Sequence, residues 1–227
     1  MLKKIAVGAL TLLLAMCLVG CGGGADKKIA ASDVESTPEK AILAYAQLYS
    51  FGDLNEDVAM KITGLTQEEI KEVQMMVVGG PMFAFSNFSL SNPNLESIVN
   101  QYTGKMRASM NVKTKLNKDD KENPVVELTA STAKNDKEAN KVSEEEIKAL
   151  QKTMDELKAK GLTDEQLSND ENYQAVALES LTKVIETIPF NEESSIEVPC
   201  VIVEKNGKKY WAPKDISVIE DFFWGKK

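Results

Sequence analysis

The hydrophobic period of this chain changes from 3.6 to 2 near residue 110, returns to 3.6 near residue 143 and changes again near residue 196. Helices, a hairpin, more helices and a second hairpin, in that order, predict an α+β domain. In it, N-terminal helices pack on a curved antiparallel sheet built from two hairpins, with a helical insertion over 142–188 between them. Thr37-Pro38-Glu39 opens the first helix, with Thr37 as cap and Pro38 at the first helical position. Ile42, Tyr45, Leu48 and Tyr49 share one face, and Gly52 offers the stop. Asn55 to Ile62 reads as a second, short helix. Thr66-Gln67-Glu68-Glu69 is a capping box for a third, with Ile70, Val73 and Val77 inward and Gly79-Gly80-Pro81 as its end. Leu95, Ile98, Val99 and Tyr102 mark a fourth, ending near Gly104.

Met110, Val112, Thr114 and Leu116 then alternate with polar residues, as a half-buried strand does. A polar turn over 117–123 leads to Val126, Leu128, Ala130 and Thr132 on its antiparallel partner. Lys134 to Lys141 reads as a connection. Ser143-Glu144-Glu145-Glu146 is a second capping box, followed by an apolar stripe of Ile147, Leu150, Met154 and Leu157 that Gly161 closes. Thr163 to Leu167 reads as a helical turn, and Asn169 or Asp170 caps a helix carrying Tyr173, Ala177, Leu181, Val184 and Ile188. The strongest local signal is Asn206-Gly207 between two apolar runs, because both residues tolerate the positive φ of a type I′ turn. That turn sets Val203 opposite Tyr210, Ile202 opposite Trp211 and Glu204 opposite Lys209. Ile216 to Trp224 is a short terminal element, apolar enough to dock.

The N-terminal segment says where such a domain resides. Lys3 and Lys4 precede an apolar run from Ile5 to Met16, and Leu18-Val19-Gly20-Cys21 follows. A basic start, a short apolar middle and small residues at the cut describe an export signal. The run falls short of the roughly 20 residues that a membrane-spanning helix needs. The segment resembles the bacterial lipoprotein signal, with Leu-Val-Gly-Cys as its lipobox. That resemblance implies diacylglyceryl transfer to the Cys21 thiol, cleavage between Gly20 and Cys21, and anchoring on the extracytoplasmic face of the cell membrane. The alternative is an ordinary secretory cut elsewhere, which leaves Cys21 an incidental thiol. Gly22-Gly23-Gly24 suits a flexible tether over 21–36, and the domain itself is expected over 37–227.

Composition excludes several functions. Loss of residues 1–20 removes Lys3 and Lys4 and no acid, moving the formal charge from −8 to −10. Such acidity argues against nucleic acid as a partner and against electrostatic adhesion to anionic lipid. Cys200 is then the single thiol beside Cys21, and it reads as a small buried hydrophobe in a strand. With no histidine there is no Ser–His or Cys–His dyad, and with Arg107 the sole arginine there is no arginine cluster. Asp119, Asp120 and Glu122 lack the spacing of a calcium loop, so no metal and no cofactor are expected.

Thr37-Pro38-Glu39-Lys40-Ala41, Tyr49-Ser50-Phe51-Gly52-Asp53 and the late Val203-Glu204-Lys205-Asn206-Gly207-Lys208-Lys209-Tyr210-Trp211 together resemble a known group over 37–224. These are uncharacterised lipoproteins of Gram-positive bacteria whose exported domain is similar to nuclear transport factor 2, a cystatin-like cone of helices on a curved sheet. The resemblance implies a fold that hosts both enzymes and binding modules. Three functions follow. The first is a non-catalytic domain that binds a small apolar ligand or an envelope protein. Its candidate pocket is Met75, Met76, Phe83, Phe85, Phe88 and Tyr102, in or near the apolar run 82–90, which otherwise reads as a buried loop or short strand. The second is a cone-fold enzyme using Asp53, Tyr45, Tyr49 or Tyr102 as acid–base group. The third is an envelope assembly factor acting through a sheet edge or the helical insertion.

Overall fold

The first helix is buried on nearly all its sides, and the rest of the domain is arranged around it. A computed structural model describes residues 34–51, 55–120, 122–134 and 136–225. The elements are α1 (Pro38–Phe51), α2 (Glu56–Thr63), α3 (Gln67–Ser86), α4 (Asn92–Met110), β1 (Lys113–Lys118), β2 (Val125–Ala130), α5 (Lys137–Ala159), α6 (Asp164–Asn169), α7 (Glu171–Glu186), β3 (Ser194–Lys205), β4 (Lys208–Pro213) and α8 (Ser217–Trp224). The class is α+β, with helices packed on a curved antiparallel sheet. From Ala41 to Ser50 only Leu43 and Gln47 escape full burial, because α1 meets α2, α3, α4, α8 and three of the strands. An all-round apolar helix is what such a position demands.

The sheet runs in the order β1-β2-β3-β4 with every neighbour antiparallel. Leu116, Val126 and Val198 lie in register across three strands, as do Thr114, Leu128 and Ile196. This face meets α1, and the Thr114 hydroxyl donates to the Glu39 carbonyl of that helix at 3.0 Å. The other face carries Lys115, Glu127 and Glu197 in register and looks outward. Strand β3 joins the two hairpins: Ser194–Pro199 pairs with β2 and Cys200–Lys205 with β4. Pro199, which has no N–H to give, stands where the partner changes. The Asn206-Gly207 turn has positive φ at both residues, and the pairs 203/210, 202/211 and 204/209 form as expected.

Between the hairpins, α5, α6 and α7 pack with α4 around a second core of Phe88, Leu90, Ile98, Leu150, Met154, Leu167, Tyr173, Ala177, Leu181 and Ile185. The expected insertion is therefore real and spans 137–186 in helices. It begins earlier than the Ser143 capping box predicts, because Asp136 accepts from the N–H groups of Glu138 and Ala139 and caps α5 there. Ser143 is consequently mid-helix, facing the Thr187 hydroxyl at 3.3 Å, and Glu144, Glu145 and Glu146 reach Lys148, Lys141 and Lys183 instead of capping.

Two other boundaries differ from expectation. Helix α4 runs through Gly104 to Met110, since Met106 and Met110 find buried sites on its inner face; Asn111, at φ 46°, ends it. Residues 34–36, expected as the end of a tether, are joined to the fold. Val34 bridges Lys209, the Glu35 N–H donates to the Lys209 carbonyl at 3.0 Å, and Lys208 pairs with Glu35 at 3.1 Å. Residues 1–20, with the expected signal and its expected cut, and Cys21 lie outside the described residues.

Candidate functional site

Helix α3 begins as the capping box predicts, with Thr66 and Glu69 closing each other's N–H groups, but it does not end at Gly79-Gly80-Pro81. It continues to Ser86, so 82–86 is helix rather than a buried loop or strand. The three residues least suited to a helix therefore sit in its interior, where Gly costs about 1 kcal/mol and Pro about 3 kcal/mol relative to Ala. Ile70, Val73 and Val77 face the core. At 100° per residue, Met75, Met76, Gly79, Met82 and Phe83 fall within an arc of about 120°, centred about 150° from the buried face. Among the described residues nothing covers them: Met75 is 67 % exposed, Phe83 62 %, Met82 43 % and Met76 42 %. A Cβ built on Gly79 or Gly80 meets nothing within 4 Å. No charged residue occurs between Glu72 and Glu96. This is an uncharged apolar face on an acidic domain. Glu68 and Glu72 border it on the N-terminal side and Ser86 on the other.

The six residues expected to line a pocket part company here. Met75, Met76 and Phe83 lie on the open face of α3. Phe85 is half-buried, its ring edge-to-face with Tyr102 at 6.2 Å, and Phe88 is buried in the second core. They form a convex surface and a piece of core, not a shared cavity, because continuation of the helix turns 75, 76 and 83 away from 88. A shallow depression of ≈320 Å³ lies elsewhere, on Asn140, Ser143, Glu144, Ile147 and Lys148 of α5 alone. One helix supplies its whole lining, so no polar groups converge on it from opposite walls.

What holds the end of α3 in place was missed from sequence. Gln174 is 7 % exposed and uses its whole amide: Oε1 accepts from the Ser91 N–H (3.0 Å) and Asn94 Nδ2 (2.8 Å), while Nε2 donates to the carbonyls of Ser89 (3.0 Å) and Leu167 (2.9 Å). The Tyr173 hydroxyl donates to the Phe88 carbonyl. Ser89, at φ 49°, gives its hydroxyl proton to Asp164, which Lys158 also meets at 2.6 Å. The turn between α3 and α4 is thus fastened to α6 and α7, which fixes the direction of the apolar face. The legible signal was a glutamine on the Tyr173–Ala177–Leu181 stripe of α7.

The acid–base candidates sit in poor settings for such work. Burial, then the charges of Glu220 and Glu69, push the Tyr49 phenol far above its ordinary range. Its backbone carbonyl accepts from Trp224 Nε1 at 2.7 Å, which docks α8. Burial also raises Tyr102. Tyr45 is buried in α1, and Asp53 lies outside the described residues. Cys200 is fully buried with its thiol pushed up to about 12 by burial, and its Sγ donates to the Val198 carbonyl. A thiol so far from ionisation is a packing group. Among the described residues, no His/Cys/Asp/Glu group could hold a metal ion, and no helix is long and apolar enough to cross a membrane.

No protein-family model matches this chain, and no curated protein does. Among solved structures, the chain is similar to a Bacillus subtilis protein, ycdA, provisionally named a lipoprotein. The likeness has 19 % identity and a TM-score of 0.45, and covers 86 % of this chain. It spans 59 % of that protein's length.

Proposed function

We propose that this chain is an exported lipoprotein, held on the extracytoplasmic face of a bacterial membrane through an acylated Cys21, whose domain acts by binding rather than by catalysis. The observation that carries the binding role is the open face of Met75, Met76, Met82 and Phe83. Soluble domains rarely expose contiguous apolar groups without using them. Helix α3 also keeps Gly79, Gly80 and Pro81 in its interior against their propensity, and local conflicts of that kind mark functional positions. Two acyl chains on one cysteine suffice for stable anchoring where one is marginal. Tyr49, Tyr102 and Cys200 support a non-catalytic role, since burial moves their titration away from neutrality.

Two measurements test this reading. Cells producing the full chain are fed an alkyne fatty acid; the label is expected on the wild type and lost, with release into the medium, in Cys21→Ser. Equal labelling of both would defeat the anchor. Native mass spectrometry of the chain from its own membrane, beside Met75→Ser/Phe83→Ser, then reads the binding role. An added mass that denaturation removes, absent from the double variant, supports a ligand on the α3 face. The same added mass on both proteins would move the site elsewhere.

A further inference from the structure

We infer that the apolar face of α3 lies against the lipid bilayer itself, so that the domain is held at the membrane by its anchor and by Met75, Met76, Met82 and Phe83 together. The inference rests on the proposed acylation of Cys21. Its first support is the place where the chain joins the fold. Lys208 pairs with Glu35 and Lys205 with Glu69 (3.2 Å), one residue to either side of the Asn206-Gly207 turn. The first described residues and the start of α3 therefore both lie at the tip of the β3–β4 hairpin. Met75 and Phe83 lie about 9 and 21 Å of helix beyond Glu69, at 1.5 Å per residue. The chain from Cys21 to Val34 reaches at most about 45 Å at full extension, so the tether permits the face to touch the surface to which Cys21 is anchored.

The second support is size. A whole aromatic side chain offers about 200 Å², so four partly exposed side chains offer on the order of 400 Å², half of what each partner of a stable protein pair buries. That is too little for an independent complex. It suits a surface already present at high effective concentration through a covalent link. The third is chemistry. Residues 73–95 carry neither the cations that seek anionic headgroups nor the acids they would repel. Contact within 73–95 is then hydrophobic, while Glu68 and Glu72 at its border and the acidic domain as a whole disfavour anionic headgroups. A low-polarity medium also favours the helical form of Gly79-Gly80-Pro81, because it offers their backbone no competing water.

The test uses the acylated full chain in phosphatidylcholine–phosphatidylglycerol vesicles, with Phe83→Trp as reporter and the wild-type emission subtracted. Flotation with the vesicles reports the anchor separately. Brominated acyl chains are expected to quench the introduced indole at least twofold in vesicles that are mostly phosphatidylcholine, with quenching kept or increased as salt rises from 50 mM to 500 mM. Floated protein whose reporter indole is unquenched overturns the inference, whether that side chain is in water or shielded by a second copy or another protein. Failure to float defeats the anchor and the inference with it. The unaltered chain supplies a second reading. Met75 and Met82 should resist peroxide at least threefold better on vesicles than in detergent-free solution after cleavage of the tether, and equal oxidation would again overturn it.

Discussion

The two cores of this domain are held in place by different means. In the sheet layer, ladder hydrogen bonds set the register, and the side chains facing α1 are almost wholly apolar: Leu116, Val126, Leu128, Ile196, Val198. In the helical layer each helix satisfies its backbone internally, so no main-chain bond ties one helix to the next. Side chains do it instead. Gln174 and Tyr173 hold the 88–91 turn, the Thr182 hydroxyl donates to Gln101 at 2.9 Å, and Ser143 meets Thr187. Sheets carry their alignment in the backbone, whereas packed helices have to obtain theirs from specific polar contacts within an apolar interface.

Deleting core volume should separate the layers most strongly. Leu128→Ala and Leu181→Ala each empty a fully buried site and should each cost about 3 kcal/mol. Residue-resolved hydrogen exchange should show Leu181→Ala losing protection first in α5–α7 while β2 and β3 amides keep theirs. Uniform loss in both variants would mean one cooperative unit. Gln174→Leu keeps the volume but strands the Ser89 and Leu167 carbonyls and the Ser91 N–H, and should cost about 2–3 kcal/mol in urea unfolding. A cost under about 0.5 kcal/mol would refute the claim that this amide positions the helical layer.

Glycines extend the contrast. Gly64 has φ +67°, and a Cβ there would lie 2.5 Å from the Tyr210 ring. Gly64→Ala should therefore destabilise by about 2 kcal/mol. Gly79→Ala should stabilise by about 0.5–1 kcal/mol, since its site is open and helical. Calorimetry checks both, and a destabilised Gly79→Ala would mean that the glycine serves the fold.

Alkaline pH tests the buried ionisable groups. The folded Cys200 thiol keeps its proton to about 12, against an ordinary 9.0. The Tyr173 phenol likewise keeps its proton to about 12, against 10.0. Above those ordinary values the unfolded chain releases protons that the folded chain retains, so stability falls as pH rises. Cys200→Val should flatten the loss from about pH 9 upward, and Tyr173→Phe from about pH 10, the latter at some cost from its vacated bond to Phe88. Identical slopes in wild type and Cys200→Val would show that the thiol reaches solvent before it ionises.

Local chemistry was legible wherever a short segment decides its own backbone. The Thr66 capping box, the helical turn after Thr163, the Asn206-Gly207 turn with its register and the docking of 216–224 all form as read. Reading failed where distant packing overrode a local signal. Met106 and Met110 carry α4 past Gly104, and α3 crosses Gly79–Pro81 because the turn beyond it is fastened by α6 and α7. The candidate pocket residues part for the same reason. They are close in sequence, but a helix distributes neighbours around its circumference, so Phe88 went inward while Met75 and Phe83 went out.

The sequence by itself determined the α+β class, the pairing within each hairpin and the expectation of an acylated Cys21, since periodicity, turn residues and a signal act over a few residues at a time. Only the tertiary structure decided that β3 carries both pairings and changes partner at Pro199, that Gln174 fastens the helical layer, and that an apolar helix face remains uncovered among the described residues. Those outcomes depend on which surfaces meet across tens of residues, and no local run of side chains encodes its own partner.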